Sequence, residues 1–198
     1  MDALVAARAH WEQTDPVLAD LAARTEIPER LQNQLPAFAS LVRAIVGQQV
    51  SIQAAQSLYD RLAAATGPEP ARILASSHAD LRACGLSNAK VASVQDLAEH
   101  VLDGQLDLDG LAMRSDADAI DALVQVRGIG VWTAKMHLMF HLQRPDVCPW
   151  EDLGIRQAVT AFYGVPPHDA TAWLKEHHGR WSPYNSLAAR VLWAARRD

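Results

Sequence analysis

Apolar residues recur at spacings of three and four along almost the whole chain, and this confines it to helices. Ala and Leu dominate, runs of β-branched residues are few, and no stretch alternates as a half-buried strand would. Punctuation fits the same reading. Asp15-Pro16 opens one helix, and Pro36 precedes an apolar one over residues 38–46. Ser51, Ser77 and Ser87 are expected N-caps, and Ser115 with Asp118 has the form of an acidic capping box. Residues 105–114 read as loop with a short turn. Further on, a helix is expected from Asp152 to Gly164, another from Asp169, and a last one capped by Ser182-Pro183. There is no repeat, low-complexity tract or domain-separating linker, so the expectation is one all-α domain over residues 1–198.

The bulk numbers exclude several classes. With 49% hydrophobic and 21% charged residues the composition is that of an ordinary globular protein. No apolar run reaches the roughly 18 residues of a membrane span, and the first residues lack a signal-peptide pattern, which points to the cytoplasm. Cys84 and Cys148 are too few for a metal cage or a four-cysteine cluster and read as free thiols. Net charge is −5, a mild argument against a nucleic-acid partner. Its distribution softens that argument. Residues 1–115 carry 9 basic and 14 acidic side chains, residues 116–198 carry 9 of each, and residues 122–145 hold Arg127, Lys135 and Arg144 with no acid. A local surface of this kind can engage phosphates, with a salt-sensitive affinity.

One interruption of the helical pattern stands out. Between the helix from Asp116 and the one running toward Leu142, Gly128 and Gly130 bracket Ile129 in a short apolar hairpin with no strand on either side. Two glycines allow a tight turn and let backbone N–H groups approach a ligand at a helix N-terminus. Taken alone, the glycines serve equally well as a phosphate cradle or as a packing corner.

The run Val126-Arg-Gly-Ile-Gly-Val-Trp-Thr-Ala134, with Asp152 placed 22 residues after Gly130, resembles the helix-hairpin-helix DNA glycosylase superfamily. Asp152-Leu-Gly-Ile-Arg-Gln157 and Ala44-Ile-Val-Gly-Gln-Gln-Val-Ser51 resemble its 3-methyladenine DNA glycosylase II (AlkA-like) branch most. The resemblance implies two helical subdomains forming a cleft. The helix-hairpin-helix, about residues 116–142, would lie at the mouth, with the catalytic loop and helix start over residues 146–154. It implies an enzyme that flips damaged bases out of double-stranded DNA and excises them, a monomer needing no cofactor.

The resemblance also distributes roles. Asp152 matches the catalytic aspartate, where an ionised carboxylate stabilises the oxocarbenium-like sugar or orients water. As a bare sequence position it is equally a helix N-cap, and Glu151 is the neighbouring rival. Trp132, Met136, Leu153 and Trp193 match the base pocket, although helical spacing would also make them core residues. Gln49 matches the wedge that fills the gap left by the flipped base. Gly128, Gly130, Thr133 and Lys135 are expected at DNA phosphates, and the carbonyls of Val124, Val126 and Ile129 match positions that hold a structural ion in relatives. Bifunctional relatives place a lysine two residues past the second hairpin glycine. Trp132 stands there, so the expected enzyme is monofunctional and leaves an abasic site.

Two departures bear on specificity. Met136 replaces the tyrosine of a relative with a more aromatic pocket, and helices begin within the first twenty residues, leaving no place for the N-terminal β domain of some branch members. His137 and His141 sit at i, i+4 without an evident third ligand, so no catalytic metal is expected. Alternatives are a related glycosylase for ethenoadenine, hypoxanthine or an oxidised base, or a non-catalytic helix-hairpin-helix DNA-binding protein.

Overall fold

The computed structural model describes residues 3–27 and 35–196, and all regular structure among them is helical. In chain order the α-helices are α1 (Ala3–Thr14), α2 (Pro16–Arg24), α3 (Ala37–Val46), α4 (Ile52–Thr66), α5 (Pro70–Ala75) and α6 (His78–Ala83). They continue as α7 (Asn88–Leu102), α8 (Asp116–Leu123), α9 (Val131–Phe140), α10 (Leu153–Tyr163), α11 (Ala170–His177) and α12 (Asn185–Ala195). Two 3₁₀ turns, Gly110–Met113 and His178–Trp181, complete the set. None of these helices is long and apolar enough to cross a membrane. The chain divides into two compact units, one of Met1–Gln32 with Leu138–Asp198, the other of Asn33–His137.

In the first unit α2 packs on α1, and α12 packs on both α2 and α10. Its core collects Trp11, Leu18, Leu21, Ile155, Leu174, Trp181, Val191 and Leu192, all buried. Asp15 caps α2 as expected, its Oδ1 accepting the Leu18 N–H at 3.1 Å. It does more than cap. Buried at 2% exposure, it also takes the Trp181 indole N–H at 2.6 Å and the Tyr163 hydroxyl at 2.9 Å on Oδ2. A local helix start thereby cross-links elements about 150 residues apart in sequence.

Two expected caps are not made by the residues expected to make them. Asp169 precedes α11 without a side-chain cap bond. The last helix begins at Asn185 with no cap from the residue before it, and Ser182 is not its cap. Asp146 supplies that function from a distance. Its Oδ1 accepts the Asn185 N–H at 3.2 Å and the Asn185 side-chain amide at 2.6 Å, while its Oδ2 accepts the Ser182 hydroxyl at 2.5 Å.

The second unit is built around α7, against which α3, α5 and α6 pack. Ile45, Leu62, Ile73, Leu81, Leu86, Val91, Val94, Leu97, Leu111 and Leu123 are buried. Ser51, Ser77, Ser87 and Ser115 each accept an N–H from the first turn of their helices, as their positions indicate. Lys90 donates to the Val46 carbonyl at 2.7 Å, satisfying one of the open carbonyls at the end of α3.

Candidate active site

The hairpin belongs to the second unit and is held from below. After α8 the chain turns through Val126 N–H to Leu123 O at 3.2 Å and Ile129 N–H to Val126 O at 3.1 Å. Val126 and Ile129 are buried, so the turn is pegged by its apolar residues. Arg127 N–H donates to Asp96 Oδ2 of α7 at 2.7 Å. Gln48 donates through Nε2 to the Gly128 carbonyl at 2.8 Å, tying the hairpin to the loop after α3.

The two glycines turn out to be different in kind. Gly128 has φ +81°, and a Cβ there would lie 2.4 Å from Ser93 Oγ, so conformation and space both demand glycine. Gly130 has no left-handed φ, and a Cβ there would meet nothing within 4 Å. The fold does not explain it. Among the described residues neither Gly128 N–H nor Gly130 N–H donates to a protein acceptor, and both residues are exposed at the start of α9.

Other residues assigned from the sequence sort by exposure. Trp132, at 43%, and half-buried Met136 are one turn apart on α9. Thr133 and Lys135 are buried, at 5% and 3%. Their side chains therefore do not form the surface phosphate contacts the spacing suggested. Most of the other residues of α9 are apolar, and Ala134, Leu138 and Met139 are buried with them, while Val131 and Trp132 at its start are exposed. Gln49 is exposed with φ +56°, a left-handed conformation uncommon for a non-glycine residue, and Val50 and Ile52 beside it are also exposed. Of the three hairpin carbonyls, that of Val126 accepts the Ile129 N–H.

The carboxylate belongs to the first unit. Asp152 N–H closes a turn onto the Pro149 carbonyl at 2.9 Å, and its side chain caps α10 through Ile155 N–H to Oδ1 at 2.9 Å. The same oxygen accepts the Trp193 indole N–H at 2.8 Å. Both of these donors are neutral groups. Trp193 is stacked on Phe140, centroids 6.0 Å apart and planes at 24°. Leu153 points outward at 59% exposure. Trp150, two residues before the aspartate, has the His178 ring 5.5 Å and Lys175 Nζ 5.9 Å from its own ring. Asp152 and Trp193 thus come together in the first unit, and the hairpin and the loop that carries Gln49 come together in the second.

The model for the HhH-GPD superfamily of base excision DNA repair proteins covers residues 42–183. The chain belongs to that superfamily. Its sequence is 31% identical over 171 residues to DNA-3-methyladenine glycosylase 1 of Schizosaccharomyces pombe, covering 84% of this chain and 75% of that one. It is 30% identical over 177 residues to DNA-3-methyladenine glycosylase 2 of Escherichia coli, of whose length it spans 59%. The fold matches a solved S. pombe 3-methyladenine DNA glycosylase in complex with abasic DNA, with TM-score 0.80, 28% identity and 95% of each chain covered.

For this family member, sequence reasoning missed Gln48, Ser93, Asp96 and Gly154. The first three act through contacts across the fold and leave no local signal. Gly154 did leave one. A glycine in the first turn of a helix costs about 1 kcal/mol against alanine and asks for a packing reason.

Proposed function

We propose that this glycosylase excises alkylated bases of the 3-methyladenine and 7-methylguanine type from duplex DNA, hydrolytically and without cutting the strand. The observation that carries the reading is Asp152, half-buried and held on one oxygen by two uncharged donors at the head of α10. A carboxylate fixed in that way is preorganised to stabilise positive charge on a sugar as the base departs, or to orient the attacking water. The hairpin supplies the grip. The amides of Gly128 and Gly130, exposed at the N-terminus of α9, suit a DNA phosphate, and Gly130 leaves space above them. A monovalent ion on the carbonyls of Val124, Val126 and Ile129 would add positive charge beside that phosphate.

The target base must leave the stack to be cut. Trp132, Met136, Leu153 and the ring face of Trp193 are assigned to hold it, because aromatic faces attract a cationic alkylated purine. Gln49, projecting from its loop beside the hairpin, is assigned to the gap in the duplex. At Thr133 the phosphate contact is assigned to the backbone N–H in the open first turn of α9, since its side chain is buried, and Lys135 is assigned only a charge beneath that surface. That burial also supports the absence of lyase chemistry. Trp132 occupies the lysine position of bifunctional relatives, and Lys135, the next amine along α9, is enclosed at 3% exposure.

The test is incubation with methylated duplex DNA and mass identification of what is freed. Release of 3-methyladenine and 7-methylguanine, with the strand intact until alkali is added, is the expected result. Release of ethenoadenine, hypoxanthine or an oxidised base instead would transfer the chain to another lesion class. Tight DNA binding with no base released from any lesion would make it a binding protein.

A further inference from the structure

We propose that Trp193 is a positioning residue for Asp152, and that Gly154 is glycine so that the indole can reach the carboxylate. The inference rests on the reading of Asp152 as the catalytic carboxylate. An aspartate at a helix N-cap is ordinarily satisfied by amides of its own first turn. Here Oδ1 takes one such amide, from Ile155, and a second donor from α12, 41 residues away. Two donors on one oxygen fix the plane of the carboxylate and thus the direction its other oxygen faces.

The approach of the indole is tight. A Cβ on Gly154 would lie 3.0 Å from Asp152 Oδ1, 3.1 Å from Trp193 Cδ1 and 3.2 Å from Trp193 Nε1. Any side chain at that position would sit against both partners of the hydrogen bond. The glycine, unfavourable for a helical first turn, is thereby accounted for. Phe140, stacked on the indole, steadies the ring from the side. Trp193 therefore does two things if it also lines the base pocket, and the two are separable. The ring face would serve the base. The N–H serves the carboxylate.

Two variants test this in single-turnover base release from methylated duplex, each alone and combined with Asp152→Asn. Trp193→Phe keeps an aromatic ring and removes the N–H. Gly154→Ala keeps the indole and crowds its bond to Asp152. In both, the rate is expected to fall about tenfold or more, and in the Asp152→Asn background neither change should cost more than about twofold further, because the carboxylate they position is already lost. Duplex affinity should change less than about threefold, since neither residue is assigned to the hairpin grip. A rate loss in Trp193→Phe that persists in full in the Asp152→Asn background would make Trp193 a pocket wall only and overturn the proposal. A wild-type rate in Gly154→Ala would overturn it as well. Failure of the underlying reading has a different mark, full base release by Asp152→Asn.

Discussion

Gly128→Ala is the perturbation whose size can be worked most directly from the coordinates. Alanine in a left-handed conformation costs about 1–2 kcal/mol, and φ here is +81°. The added Cβ would also lie 2.4 Å from Ser93 Oγ and 3.0 Å from Ser93 Cβ. Ser93 is buried on α7 and has little room to withdraw, so an overpacking cost of about 1–3 kcal/mol comes on top. The sum is about 2–5 kcal/mol, or roughly 4–20 °C in Tm for a chain of this size. Thermal melts followed by circular dichroism would read it. A double-mutant cycle with Ser93→Ala separates the parts. Removing the hydroxyl should return about 1 kcal/mol or more of the steric cost and none of the backbone cost. An unchanged Tm in Gly128→Ala, or no coupling to Ser93, would refute the claim that the hairpin is docked on α7 through this glycine.

Gly130→Ser should behave oppositely. Serine is a good residue at a helix start and meets open space here, so stability should move by less than about 0.5 kcal/mol, while affinity for duplex DNA falls several-fold in a binding titration. Tyr163 predicts a pH effect. Burial, and next the charge of Asp15, raise its hydroxyl pKa, so the folded state keeps a proton that the unfolded chain releases. Its contribution is fully present below about pH 10 and is lost above it, at about 1.4 kcal/mol per pH unit. Denaturant unfolding between about pH 8 and about pH 11 should show that slope flattened in Tyr163→Phe. At neutral pH the same variant should lose about 1.5–3 kcal/mol for the missing bond to Asp15.

What was legible in the sequence was local. Helix periodicity, the serine caps and the hairpin are written within a few residues of where they act, and most stand in the fold as read. Caps supplied from a distance were not legible. Asp146 holds the start of α12 from 39 residues away, and nothing near Ser182 announces it. The same limit applied to Lys135. Its charge suggested a surface, but it is buried on a helix whose other residues are mostly apolar. At Asp152 the two readings taken from the sequence are compatible. The residue is the N-cap of α10, and that cap bond is part of what aims its carboxylate.

This last point makes Asp152→Asn the most direct measurement. Asparagine caps a helix as well as aspartate does, so α10 and its acceptor for Ile155 and Trp193 should persist. Only the negative charge is lost. The single-turnover rate of base release from methylated duplex should fall by at least about a hundredfold, with affinity for duplex DNA retained. Base release at the wild-type rate by Asp152→Asn would show that the aspartate is a cap and nothing more, and would contradict the account.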